Sequence, residues 1–348
     1  MKYIETKKFS EIDLNDKFFD SLKKDYKEFE DWYNKKIREN ADAFILKDDN
    51  DNLKAFLYLK EESDVEDIIP RLPDGKKIKI GTFKVDPHGT RLGERFIKIA
   101  IDYAYEHNAK YLYVTIFDKH KGLIRLFERF GFSQYGKKGN ELVYMKKMFE
   151  LNPDIEKRYP LIEIKNDTEI YVLGIKPEYH TRLFPDSKLK TEESDELVTD
   201  IAYTNGIFKN YIANISGLEN LKKGDVLVIY RTKDYDRQNA RYSSVLTSLC
   251  VVLESKHQNE FGNFDDFFRY CKPYTVYTRE ELKKYYEGGN AKVVKMTYNI
   301  AFKKRLIKKY IEDNFRTPNY WGFFQITKDF LKQIIIDAEI DERLIIGL

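Results

Sequence analysis

Apolar residues recur along this chain at two spacings, and each predicts a different element. Phe18, Leu22, Tyr26, Phe29, Tyr33 and Ile37 fall three or four residues apart, and Phe19 and Trp32 widen the same face. That period predicts an amphipathic helix or two helices in series, with Asp16 placed to cap the start. Tyr3–Phe9 reads as an edge strand. Ala43–Leu46 and Leu53–Leu59 are short apolar runs on either side of Asp48-Asp49-Asn50-Asp51-Asn52, and they predict a hairpin closed by a polar turn. Glu61–Lys77, with Pro70 and Pro73, is a charged loop. Tyr111–Phe117 is another apolar strand. Leu123, Ile124, Leu126, Phe127 and Phe130 give a short helix ending at Gly131, and Phe132–Tyr135 with Leu142–Met148 form a second hairpin.

The stretch between these elements carries the candidate chemistry. Ile78, Ile80, Phe83 and Val85 predict a buried strand, which Pro87 stops because proline has no N–H for a ladder. Gly89 and Gly93 flank a polar turn. From Leu92 onward the apolar positions are Leu92, Phe96, Ile99, Ala100, Tyr103 and Ala104, a helical spacing. Strand, glycine-bearing turn and helix together aim backbone N–H groups and a helix N-terminus at an anionic phosphate. The alternative for the same residues is an ordinary helix start with surface arginines.

In the second half, Phe149–Asp167 reads as a proline-bearing connector and Ile170–Ile175 as a strand. Pro177–Pro185 is a loop rich in functional groups. Gly206–Ile215, Val226–Arg231, Ser244–Leu253, Val293–Ile300 and Phe323–Ile326 read as strands, with a polar hairpin over Lys233–Ala240. Phe264–Tyr270, Arg279–Tyr286 and Asp329–Ala338 read as helices. Phe302, Leu306, Ile307, Tyr310 and Ile311 predict one more helix, whose other face would carry Lys303, Lys304, Arg305, Lys308 and Lys309.

Composition narrows the classes. A chain of 348 residues suits two domains better than one core. With 26 Tyr and 24 Phe it can bury packed cores, which excludes a disordered protein. A formal charge of +3 does not mark a nucleic-acid binder, and codon bias in an AT-rich genome would raise the lysine content by itself. Cys250 and Cys271 sit in no metal-binding or disulfide spacing, so no metal is expected and a reducing cytoplasm fits. Met1-Lys2-Tyr3-Ile4-Glu5 leads straight into charged sequence, so no signal peptide is expected. No apolar run approaches the roughly 20 residues that span a bilayer.

The order strand, helices, three strands, helix, strand, helix, two strands, with the strand–turn–helix at its centre, resembles the GNAT family of acetyl-CoA-dependent N-acetyltransferases over residues 1 to about 148. The resemblance implies a sheet splayed between Lys79–Val85 and Tyr111–Phe117. Acetyl-CoA would enter that cleft with its pyrophosphate on the following turn, so Phe83, Val85, His88, Gly89, Thr90, Arg91, Leu92, Gly93, Glu94 and Phe127 are the implied cofactor-binding residues. The backbone N–H of Phe83 would polarise the thioester carbonyl. The match is partial. Of the turn's signature positions His88, Arg91 and Gly93, only Gly93 keeps the family type. Arg91 is admissible if its backbone is right-handed. Gly131-Phe132 matches the family's later signature, but Phe127 stands where many members have the tyrosine that protonates the leaving thiolate. His120, where asparagine is usual, could fill that role, or it is a solvated histidine in a basic loop. No acid interrupts Lys79–Val85, and Glu61 and Glu62 are weaker candidate bases.

Leu221-Lys222-Lys223-Gly224-Asp225-Val226-Leu227, followed by Tyr230-Arg231, looks like the PUA-like superfamily with its EVE and ASCH branches, over roughly residues 169 to 335. That similarity implies a small β-barrel binding RNA or modified bases. Tyr230, Arg231, Arg241, Tyr242, Lys304, Lys308 and Trp321 would supply stacking and phosphate contacts, unless the aromatics are core. The expected fold class is α+β in two domains: a GNAT-like mixed α/β sheet (1–148), a connector (149–168), and a PUA-like small β-barrel with helices (169–348). The expected function is an acetyl-CoA-dependent N-acetyltransferase acting on an amine linked to RNA or ribonucleoprotein. The alternatives are a catalytically silent scaffold and a barrel that reads modified nucleic acid.

Overall fold

The computed structural model describes residues 4–63, 65–86, 91–187, 206–234 and 239–348. His88, Gly89 and Thr90 therefore lie outside the described residues. The chain divides after Met148 into two compact units.

The first unit contains β1 (Glu5–Lys8), α1 (Asp20–Asp25), α2 (Phe29–Arg38), β2 (Asp42–Lys47), β3 (Leu53–Glu62), β4 (Lys77–Val85), α3 (Leu92–Glu106), β5 (Tyr111–Ile116), α4 (Lys121–Arg129), β6 (Ser133–Lys138) and β7 (Glu141–Lys147). The expected long helix is two helices in series, and Asp16 caps a single helical turn just before α1 by accepting from the Phe18 N–H. Seven strands form one mixed sheet in the order β1-β2-β3-β4-β5-β7-β6, with β4 and β5 parallel. Phe56 and Tyr58 of β3 pack with Phe9, Phe19 and Tyr33 in an aromatic core on one face. Leu92, Phe96, Ile97, Ala100, Ile101 and Ala104 are the apolar buried positions of α3. The apolar stripe is thus turned relative to the expected one: Ile97 and Ile101 are fully buried, whereas Ile99 and Tyr103 are half-exposed. Phe96, Ile97, Ile99, Ala100, Ile101, Tyr103 and Ala104 are all apolar and nearly consecutive, so spacing alone does not single out one stripe.

The second unit contains α5 (Ile155–Arg158), β8 (Ile162–Glu163), β9 (Ile170–Ile175), α6 (Pro177–Leu183), β10 (Phe208–Ala213), β11 (Val226–Arg231), α7 (Ala240–Ser243), β12 (Val245–His257), α8 (Phe264–Cys271), α9 (Arg279–Glu287), β13 (Lys292–Ile307), α10 (Lys308–Asn314), β14 (Phe323–Ile326), α11 (Lys328–Asp337) and β15 (Ile345–Ile346). The segment read as a connector is built into this unit, since β8 pairs with β15. The main sheet runs β10-β13-β12-β11-β9-β14. In a flat sheet β10 and β9 would stand roughly 19 Å apart, four strand spacings. Yet the Tyr211 hydroxyl of β10 reaches Gly174 O of β9 at 3.4 Å, and side chains from β9 to β13 share one core. The sheet is therefore curled on itself, as the PUA-like similarity implied. The Gly-Asp turn is formed as expected: Gly224 has φ +100°, and the Asp225 carboxylate accepts from the N–H groups of Lys222 and Glu169.

Two expectations are corrected. Pro177–Leu183 is a helix, not a loop. The basic helix expected from Phe302 does not form. β13 runs on to Ile307, paired with β12 as far as Val245↔Ile307, and only Lys308 begins a helix. Residues four apart share a face in both a helix and a strand, so the Phe302–Leu306 spacing fits either.

Candidate active site

The first unit's site is a break in its own sheet. β4 and β5 pair only from Lys77↔Tyr111 to Ile80↔Val114, although the strands continue to Val85 and Ile116. Beyond Ile80 the two strands diverge into a wedge, as the resemblance implied. The divergence begins at a β-bulge. The register with β3 passes from Leu59↔Ile80 to Tyr58↔Thr82, which leaves Gly81 as the extra residue.

The bulge fixes which groups face the wedge. The Asp86 N–H donates to Lys54 O at 2.8 Å, and Phe83 and Val85 stand opposite Leu57 and Ala55. Orientation alternates along a strand, so Thr82 and Lys84 point their N–H groups at β3, and Phe83 and Val85 point theirs into the wedge. Among the described residues no strand pairs with that edge of β4. A linear ligand bearing amide groups fits such an edge as a surrogate strand.

One side of the wedge is closed by aromatics. The Phe83 ring lies 5.4 Å from Phe127 of α4 and 6.4 Å from Phe96 of α3. Phe127 is fully buried against Phe83 and Phe132, and it brings no proton donor. Gly93 lets α3 approach α4: a Cβ there would meet Leu126 Cδ2 at 2.8 Å. At the entrance to α3, Arg91 has φ −79°, a negative φ that needs no glycine. Its Nη1 lies 3.0 Å from Glu94 Oε1, which also accepts from Arg129 Nη1 at 2.6 Å. Leu92 and Glu94 are buried in the first turn of α3. His120 stands at the start of α4, with Nε2 3.3 Å from Asp25 Oδ2. The Lys119 hydrogen bond, with help from His120, holds the Asp25 carboxyl below the ordinary carboxylate range.

The other side of the wedge carries a charged cluster, of which only Glu62 is a candidate from the sequence. Glu62 is not loop surface. It ends β3, and its carboxylate accepts from the Tyr113 hydroxyl of β5 and pairs with Lys60. Lys79 of β4 stands beside them, with Nζ 5.8 Å from the Tyr113 ring centre.

In the second unit the nucleic-acid candidates separate. Tyr230 and Arg231 are corrections: both are buried, so neither offers a face to a base. Tyr230 packs against Trp321, itself buried, at 4.9 Å, and Arg231 is paired with Asp234 at 2.6 Å. They lie on an interior strand of a curled sheet, where both faces are covered. Arg241 is bound by Glu312 and Asp313 at 2.8 and 2.9 Å. Lys304 is exposed and 3.5 Å from Glu339. Lys308 lies over the Trp321 ring at 4.8 Å and 3.4 Å from Glu312. Tyr242 alone of the tyrosines proposed is exposed, at 58%. His180, on α6, is fully buried with Nε2 2.8 Å from Thr247 Oγ1. Burial, reinforced by the charges of Arg231 and Arg305, pushes its pKa down to about 3 and keeps the ring neutral. Among the described residues there is no cluster that could hold a metal ion, and no helix is long and apolar enough to cross a membrane.

Residues 6–132 match the family model described as the Acetyltransferase (GNAT) family. The first unit is accordingly a GNAT acetyltransferase domain, a class that the splayed sheet also describes. Among solved structures the chain is similar to the ASCH protein of Zymomonas mobilis (9% identity, TM-score 0.33, covering 48% of this chain and 94% of that one). It is also similar to the Campylobacter jejuni N-acetyltransferase PseH in complex with acetyl coenzyme A (16% identity, TM-score 0.29, covering 42% and 99%). A third similar structure is a spermidine N-acetyltransferase SpeG chimera from Vibrio cholerae and hSSAT (21% identity, TM-score 0.25, covering 35% and 75%). No curated protein sequence matches the chain.

Proposed function

We propose that this protein is an acetyl-CoA-dependent N-acetyltransferase of the cytoplasm, and that its second unit presents an amine linked to RNA or ribonucleoprotein. The observation that carries the first part is the wedge beyond Ile80↔Val114, with the Phe83 and Val85 N–H groups turned into it. Acetyl-CoA supplies the thioester when bound. The Phe83 N–H donates to the thioester carbonyl oxygen, where negative charge develops as the acceptor nitrogen attacks. The C–N bond forms, the nitrogen gives up its proton to water, the C–S bond breaks, and the leaving thiolate takes a proton. We assign that proton to His120, because Phe127 has none to give. His88, Gly89, Thr90, Arg91 and the first turn of α3 would receive the pyrophosphate. For the RNA link the support is narrower. Tyr242 is exposed, and it lies beside Arg241 on α7, where a single strand could stack. A second reading, a silent scaffold, is favoured by Phe127 and by the altered turn positions His88 and Arg91.

One experiment tests these assignments together. The full chain is titrated with acetyl-CoA by calorimetry and then incubated with labelled acetyl-CoA, total tRNA and protein extract. Binding and a labelled product are expected. Arg91→Glu should weaken acetyl-CoA binding by about tenfold or more, since it reverses a charge at the phosphate end. His120→Gln should slow transfer by about a hundredfold with acetyl-CoA affinity unchanged. Absence of acetyl-CoA binding rejects the transferase, binding without product supports the scaffold, and an unchanged rate for His120→Gln leaves that residue only its Asp25 contact.

A further inference from the structure

Resting on the transferase reading, we infer that Lys79 is an anchor for an acidic group on the acceptor, so that the amine acetylated here carries a carboxylate or phosphate close to its nitrogen.

Ile78, Ile80, Phe83 and Val85 face the same side as Leu59, Leu57 and Ala55, because these residues are paired across β3 and β4. That side is closed at the wedge by Phe96 and Phe127. An acceptor must therefore approach from the opposite face. Thr82 and Lys84 on that face stand beside Tyr58 and Phe56 and are covered by the aromatic core, which leaves Lys79, half-exposed next to Tyr113, its partner in the parallel ladder. Lys79 is two residues before the bulge, within about 7 Å of it along the strand.

Lys79 is half-buried there without a counter-ion. Among the described residues its ammonium has no carboxylate within ion-pair distance, and its recorded contact is the Tyr113 ring. The acidic groups nearest to it are already engaged. Glu62 is held by Lys60 and the Tyr113 hydroxyl, Asp67 by Lys138 at 2.5 Å, and Glu141 by the Tyr26 hydroxyl at 2.9 Å. Burial pushes the Lys79 pKa down, only partly offset by Glu62 and Glu141 and reinforced by Lys138 and Lys60. Lys84, the other lysine on this face, differs in that its ammonium donates to Phe18 O and to Ser21 Oγ. A half-buried cation whose neighbouring carboxylates are all taken is unfavourable until something supplies the opposite charge. Lys79 is half-exposed beside the point of acyl transfer, so the group in position to supply that charge is the acceptor.

Matched amines test this with the full chain and acetyl-CoA: ethanolamine against O-phosphoethanolamine, and propylamine against β-alanine. The acid-bearing member of at least one pair should react with a kcat/KM about tenfold higher, the size of one charge-assisted contact. Which pair shows the preference separates phosphate from carboxylate. Lys79→Met should erase it by raising KM for the acidic amine only, and Lys79→Arg should keep it. Equal loss for both members, or no preference in either pair, overturns the inference. A second readout does not depend on turnover. Labelling of Lys79 by an amine-reactive reagent, quantified by mass spectrometry, should be slowed severalfold by inorganic phosphate or acetate relative to chloride at equal ionic strength. Absence of protection by either anion overturns the inference as well. Loss of acetyl-CoA binding in calorimetry would instead reject the transferase reading, whatever the labelling shows.

Discussion

Gly81→Val is expected to lower acetyl transfer by about a hundredfold, the cost of misplacing a reacting geometry by roughly 1 Å. A Cβ at position 81 would lie 2.7 Å from Tyr58 Cδ1 and 3.1 Å from Cε1. The Tyr58 ring is poorly placed to yield. It packs edge-on against Phe9 at 5.2 Å and Trp32 at 5.7 Å inside the aromatic core. The strand must give instead, and the residues that move with it are Phe83 and Val85, whose N–H groups face the wedge. Both acetyl-CoA affinity by calorimetry and kcat/KM by product formation should fall, and Gly81→Ala should fall less because its side chain ends at Cβ. A wild-type rate for the valine variant would place carbonyl polarisation elsewhere.

The second large effect is on stability. Gly174→Ala would put a Cβ 2.5 Å from Trp321 O, 3.1 Å from Gly322 Cα and 3.2 Å from Gly322 O. All three are backbone atoms, so no side-chain rotation relieves the contact. The chain entering β14 would have to retreat, breaking the bond from the Gly174 N–H to Gly322 O at 2.7 Å. Overpacking plus one lost backbone bond costs about 2–4 kcal/mol. At roughly 2–4 °C per kcal/mol for a domain of this size, the second unit's transition should fall by roughly 5–10 °C. Differential scanning calorimetry of the full chain measures this. Gly122→Ala serves as the control, since nothing lies within 4 Å of its would-be Cβ. Equal transitions for the two variants would mean that β14 does not hold β9 as described.

Much of the wedge was legible in the chain. Ile78 and Ile80 alternate on even positions, and Phe83 and Val85 on odd ones. An apolar alternation that changes phase across a glycine is the mark of a bulge, and Gly81 is where it lies. As one continuous strand the four residues would need a single phase, which they do not keep. Glu61-Glu62-Ser63 is polar and ends an apolar run, which by itself predicts a surface loop for Glu62. Its partner Tyr113 is 51 residues away, and no local pattern links the two. Tyr230 and Arg231 failed for a related reason. An aromatic beside an arginine has the composition of a nucleic-acid contact, but on β11 both are covered, and Asp234 and Trp321 take the places a nucleotide would need.

The sequence by itself determined the order of elements in the first unit, the strand and helix at its centre, and the Gly-Asp turn of the second. Those depend on local period, on proline and glycine geometry and on hydrogen bonds between near neighbours. The tertiary structure decided that β4 and β5 part after Ile80, that Phe302–Ile307 continues a strand, and that Lys79 is half-buried while the carboxylates near it among the described residues are engaged by other groups. Each of these depends on residues brought together from distant parts of the chain. A ladder, a spacing of four or a counter-ion has no meaning until its partner strand or partner side chain is in place.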